Sequence, residues 1–122
     1  SGLKPERRGA CEQMLKAVAA HPILIAGSRG RLCTELSRVT EGRLFPKIGA
    51  EGVYAVGDRG SGRALAVKIT DGGRRALHPL VVELLARFEM IDEAQARALE
   101  SWSQSEIKNH AGLKVGRTEV VA

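Results

Sequence analysis

The hydrophobic positions of this chain recur every three to four residues at its start, every two in its middle and every three to four again beyond it. From Glu6 to Ala20, apolar residues at Ala10, Met14, Leu15 and Val18 predict a helix with one buried stripe. His21-Pro22 ends that helix, because the residue before a proline is pushed out of the helical region. Gly27-Ser28-Arg29-Gly30 reads as a tight loop, and Leu32 to Val39 as a short helix with Cys33 and Leu36 on neighbouring turns. The period then changes to two. Val53 and Ala55 alternate with Tyr54 and Val56, and Ala64 and Ala66 with Leu65 and Val67, which predicts two strands. Gly57 to Gly62 supplies a glycine-rich reversal between them, so an antiparallel hairpin is the shortest connection.

Asp71-Gly72-Gly73 closes the second strand, and Leu77, Leu80, Val81, Leu84, Leu85 and Phe88 form the strongest helical stripe. Pro79 belongs in the first turn of that helix, where a missing amide hydrogen costs little. A further helix, Glu93 to Trp102, is expected to pack Ala94, Ala98 and Trp102 on one side. Asn109 to Gly112 reads as a turn into a returning edge strand, Leu113 to Val121. The pattern is α/β in the α+β sense: an antiparallel sheet flanked by helices, in one domain over residues 1–122, with 1–5 as a disordered or tag-derived start and Ser1-Gly2 as an expression scar. The strand pair is apolar on both faces, and such strands expect cover on both sides. One helix layer is visible, so a second layer is expected from another segment or a second subunit.

Composition narrows the class. With 43% hydrophobic and 27% charged residues the balance is that of a soluble globular domain. Apolar runs such as Ile23 to Ala26 fall far short of the roughly 20 residues a spanning helix needs, and no secretory leader opens the chain, so no membrane partner is expected. Cys11 and Cys33 do not read as a disulfide framework, and a cytoplasmic location fits them. The net charge of +5 comes mainly from arginines in short clusters, and aromatic content is only 3%. That removes the stacking platforms of single-strand binders, so the arginines read as solvated surface and no nucleic-acid partner is expected.

Chemistry is sought first at Lys47-Ile48-Gly49. A lysine two residues ahead of a glycine is an arrangement by which serine amidases set a cation beside their nucleophile. The lysine can act as the base for a serine if burial and nearby positive charge lower its pKa. Gly49, without a side chain, lets a substrate amide approach the strand backbone. The bland alternative is a surface lysine before a strand. Cys33 stays open between a buried small hydrophobe, a reactive thiol and a metal ligand, since one cysteine makes no zinc site and His21, His78 and His110 are not at ligand spacing from it. Ser61 belongs to a turn rather than a nucleophile elbow. Gly57 to Gly62 is no phosphate cradle, because no helix start follows it. Ser28 has no general base near it in sequence.

The run from His21-Pro22 through Ala26-Gly27, Gly30-Arg31-Leu32-Cys33-Thr34-Glu35-Leu36, Gly42-Arg43, Lys47 to Gly52 and Val67 to Gly72 resembles the C-terminal portion of the thermolabile, rhizobial-type bacterial L-asparaginases. The resemblance continues more loosely through the Leu77 to Phe88 stripe. It implies a fold similar to serine β-lactamases and hydrolysis of L-asparagine to L-aspartate and ammonia through serine-lysine pairs. Carried over, the family's catalytic lysine falls on Lys47, which would activate a serine from an N-terminal half not contained here. The family's cysteine falls on Cys33, which would join a second cysteine and a lysine of that half around zinc; the isolated chain is expected to hold no cofactor. Arg31 is assigned as a contact for the substrate carboxylate, because a bidentate guanidinium suits a planar anion. Pro46 stands where small residues are more usual, and Cys11 has no counterpart.

Two function classes follow. The first is an amidohydrolase, with this chain the C-terminal part of a homodimeric enzyme and inactive alone. It expects the Lys47 amine nearly dry in a cleft that Cys33 also faces, and an amine in open water pointing away from that thiol would count against it. The second is a non-catalytic binding or scaffold module that keeps the fold. It expects a closed core, an exposed Lys47 and a Cys33 that faces no shared cleft.

Overall fold

A computed structural model describes residues 2–118, Val120 and Val121. Ser1, Glu119 and Ala122, and with them one residue of the expected scar and part of the expected last strand, lie outside the described residues. Helix α1, Pro5–Ala20, begins on a proline that needs no amide partner in a first turn and stops at His21 before Pro22. None of its residues is buried, and Met14 is 64% exposed. Its half-buried stripe is Cys11, Leu15, Val18 and Ala19, one helical step round from the expected one. Ala10 and Met14 face solvent because the core is closed by other elements.

A single turn, α2 (Ile23–Ala26), leads through Gly27 to α3, Leu32–Val39. Leu32, Cys33 and Leu36 of α3 are buried, as their three-to-four spacing requires. The Thr34 hydroxyl donates to the Gly27 carbonyl at 2.7 Å, which ties the preceding loop to the helix. The Thr40 hydroxyl donates to the Leu36 carbonyl and accepts from the Leu44 amide, so the helix end hands directly on to strand β1, Leu44–Ile48. Gly42, at φ +73°, makes that corner, and a Cβ there would collide with Ala19 of α1.

Strands β1, β2 (Val53–Asp58) and β3 (Ala64–Lys68) form an antiparallel sheet in the order β1-β2-β3. The expected hairpin between the last two is present, and β1 is a third strand that the alternation did not announce. Pairing sets Pro46 beside Val56 and Leu65, and Ile48 beside Tyr54 and Val67. These rows turn inward onto α3 and α4 (Leu77–Arg87), and Tyr54, Val56, Val67, Leu77, Val81 and Leu85 belong to the core on this side. Pro79 lies in the first turn of α4, as expected. Phe88, the last residue of the expected stripe, is instead 51% exposed, because the chain turns at Glu89 and brings Met90 and Ile91 into the core.

The expected helix from Glu93 to Trp102 is two pieces, α5 (Glu93–Ala98) and α6 (Glu100–Ser103). Asp92 and Gln95 cap α5 reciprocally. Ala94 and Ala98 are exposed, whereas Leu99 is fully buried at the break and Ala96 and Trp102 pack against the core. The larger side chain sets which face turns inward. Strands β4 (Ser105–Lys108) and β5 (Lys114–Thr118) pair only with each other across the expected Asn109 to Gly112 turn. The returning strand is thus the partner of a new strand and not an edge of the main sheet. Six helices and antiparallel sheets of three and two strands make the described residues an α+β fold, as the pattern predicted.

Candidate functional site

A strand's alternation sends successive side chains to opposite faces. The inward rows of the main sheet carry the core, so the outward rows are fixed by the same register. They read Phe45, Gly57 and Ala64; then Lys47, Ala55 and Ala66; then Gly49, Val53 and Lys68. Apart from Phe45 and the two glycines, this face carries only alanine, valine and lysine. Lys47, Ala55, Ala64, Ala66 and Lys68 are exposed on it. The result is a flat floor of small residues with a lysine at each end and no carboxylate in the three rows. Low side chains on a sheet let another layer or a ligand come close to the backbone.

Lys47 is exposed, and its Nζ donates to the Ile48 carbonyl at 2.7 Å. Gly49 is the next outward residue along the same edge, and its amide donates to the Val53 carbonyl at 2.8 Å. A Cβ on Gly49 would stand 3.2 Å from that of Val53, tight enough to force the neighbour to move. Lys68 Nζ donates to the Glu51 and Ile69 carbonyls at 2.6 and 2.7 Å.

Cys33 and Arg31 are elsewhere. Cys33, 2% exposed, lies beneath the inward face and lines a cavity of about 30 Å³ with Arg31, Ile48, Tyr54, Arg74 and His78. Lys47 follows the opposite alternation from Ile48, so the sheet stands between the lysine and the thiol. The structure brings Lys47 and Gly49 together, and Arg31 and Cys33 together, and separates the two pairs. Among the described residues no nearly dry cleft is shared by Lys47 and Cys33: β1 sends consecutive residues to opposite sides, and Ile48, not Lys47, lines the Cys33 cavity.

The Cys33 surroundings do not by themselves make up a zinc site. One thiol and one imidazole fall short of the usual ligand number, and the two guanidinium groups on the same cavity oppose a cation. Among the described residues no group of three His, Cys, Asp or Glu is placed to hold a metal ion. His78 is flanked edge-on by Tyr54 at 6.3 Å and Trp102 at 5.2 Å between ring centroids. Burial, and then the Arg74 charge, hold its pKa below the usual histidine range. Burial, and then Cys33, push the Tyr54 phenol well above its ordinary value. The thiol is near enough for that, yet the Tyr54 hydroxyl has no hydrogen bond of adequate geometry. Sequence reasoning did not reach Tyr54, His78 or Arg74. The one available signal was a tyrosine in the inward phase of a strand, whose hydroxyl must find a partner or go without.

At the sheet's far end, Asp58 gathers the β2–β3 turn. Its carboxylate accepts from the amides of Gly60 and Ser61, from the Ser61 hydroxyl at 2.8 Å and from Arg43 at 2.7 Å. Ser61 is therefore held as a turn residue.

No helix of the described residues is long and apolar enough to cross a membrane. No curated protein matches the chain significantly. The sequence pattern that defines the L-asparaginase II family matches residues 1–120, which is nearly the whole chain and includes both sheet faces. The chain belongs to the L-asparaginase II family, and its function is L-asparaginase-related.

Proposed function

We propose that this chain contributes Lys47 to the hydrolysis of L-asparagine to L-aspartate and ammonia, at a site completed when a second layer covers the outward face of its sheet. The observation that carries the reading is the placement of Lys47 and Gly49 on one edge of an uncovered, small-residue sheet face in an L-asparaginase II chain.

A lysine amine abstracts a proton from a serine only when its ammonium form is disfavoured. Two influences can act here. A covering layer would strip water from Lys47, and Lys68 stands on the same face with the same charge. The bond from Lys47 Nζ to the Ile48 carbonyl would then be exchanged for one to the nucleophile. Gly49 would leave room for the substrate amide against the strand edge. No serine stands in the three outward rows, so the nucleophile comes from the covering segment or subunit. The chain alone is then inactive, and Cys33 and Arg31 take no part on this face.

A specific observation favours the second reading, a non-catalytic module. Lys47 is exposed and Cys33 is shut away behind the sheet, as that reading expects. Its other expectation was a closed core, and against it stands the uncovered face, whose alanines and Val53 have no layer over them among the described residues.

The test is ammonia release from asparagine by the chain alone and by the chain joined with the serine-bearing N-terminal half of an L-asparaginase II protein. The proposal expects no activity alone, activity on joining, and a loss of about 10²–10⁴-fold in the joined protein carrying Lys47→Ala. An unchanged rate in that variant leaves the module reading standing.

A further inference from the structure

The cavity under the inward sheet face offers hydrogen-bond donors and no carboxylate. Among the described residues that line it, Tyr54, Cys33, His78, Arg31 and Arg74 carry such groups, beside Ala26, Leu32 and Ile48. Tyr54 is 1% exposed and its hydroxyl has no hydrogen-bond partner, although a buried hydroxyl loses its water and needs a replacement. Neither Arg31 nor Arg74 forms an ion pair with any described carboxylate. The Arg31 side chain is folded back toward the Gly27 turn, with its Cγ and Nε within 4.0 Å of the Cβ direction of that glycine. The space of about 30 Å³ is that of one water or one compact ion, far below an amino acid.

We propose that this cavity binds a compact monoanion, a halide or a carboxylate group, with the Tyr54 hydroxyl donating to it from the buried end and Arg31 and Arg74 balancing its charge at the exposed rim. An anion supplies the acceptor that the hydroxyl lacks and the counter-charge that both guanidinium groups lack, whereas a water supplies only the first. Burial and the Arg74 charge lower the pKa of His78, and in either form its ring keeps an N–H to offer. The site is independent of the amide-hydrolysing reading, because the sheet separates it from Lys47.

The experiment follows thermal unfolding of the 122-residue chain by the fluorescence of Trp102, its sole tryptophan, whose ring lies against His78. Sodium chloride and sodium formate are compared at constant ionic strength with sodium gluconate, whose anion is far larger than the cavity. Binding raises Tm by about 5 °C at ten times Kd, and the rise follows the logarithm of concentration. Arg74→Gln, at an exposed position, is expected to lose most of that rise and to keep its Tm in gluconate. Tyr54→Phe removes the orphan hydroxyl. It is expected to match or exceed the parent in gluconate and to respond less to chloride or formate. A response to chloride alone identifies an inorganic ion, a response to formate alone a carboxylate group, and a response to both their shared charge and size. Equal Tm values of the parent in all three salts, or an undiminished response in Arg74→Gln, overturn the proposal and leave the cavity to water.

Discussion

Lys47 and Ile48 are adjacent in sequence and serve opposite sides of the sheet, so a substitution at one should leave the chemistry of the other untouched. Lys47 is exposed and bonded only to a neighbouring carbonyl, and Lys47→Ala is expected to change stability by less than about 0.5 kcal/mol. Urea unfolding of the variant checks this, and a larger loss would show the lysine to be structural. Asp58 behaves otherwise. Burial pushes its carboxyl upward, but bonds from Ser61, Gly60 and Arg43 outweigh that and hold it at about 2. A carboxylate whose folded pKa is depressed stabilises the fold above its unfolded pKa, near pH 4, and loses that contribution as pH falls toward 2. The amount is about 2–3 kcal/mol, and Asp58→Asn should flatten this acid limb of the Tm-against-pH curve. At neutral pH Asp58→Ala is expected to cost about 3 kcal/mol, since it leaves Arg43 with only the Met90 carbonyl and strips acceptors from the turn amides.

The α3–β1 corner is where two elements meet through a residue that has no side chain. Gly42 needs its positive φ and its missing Cβ, with Ala19 of α1 directly opposite. Gly42→Ala should therefore cost more than the roughly 1 kcal/mol of backbone strain alone. Pairing it with Ala19→Gly should recover the excess, measured as a coupling energy in a double-mutant cycle. If the two substitutions are additive, α1 does not pack on that corner. Elements were legible in the sequence wherever apolar spacing was unambiguous. Leu32, Cys33 and Leu36 on α3, the β2–β3 alternation around a glycine-rich reversal, and Leu77, Val81 and Leu85 on α4 all fall where the spacing put them. Beyond α4, Ala94, Ala96 and Ala98 offered several equivalent faces, and only the packing of Leu99 chose among them. β1 was hidden because Pro46 and Lys47 break an apolar run, yet both fit an edge strand. The proposed site stood out in the sequence as a motif, Lys47 to Gly49, but its geometry did not. Which face each residue takes depends on strand register, and register is not written in the spacing of one strand.

For the molecule as a whole, the two faces of the main sheet have different fates. One is sealed by α3 and α4, while the other presents alanines, Val53 and two lysines to solvent. The β4–β5 pair adds Ile107, Leu113 and Val115, which are 41%, 64% and 61% exposed. A lone two-stranded ribbon is marginal in water, and these side chains add to the apolar surface left exposed among the described residues. Ala55→Glu, at the centre of the outward face, should leave the Tm of the chain within about 2 °C and block joining with a serine-bearing half. Gel filtration of the mixture reads that outcome, and unimpaired joining would place the contact elsewhere. The claim beneath these expectations is that Lys47 works on a face open in the chain alone and closed in the active assembly. Acetylation of Lys47, followed by mass spectrometry in both states, tests it directly. The account predicts ready modification in the isolated chain and strong protection once asparagine-hydrolysing assembly is reached; equal reactivity in the two states would contradict it.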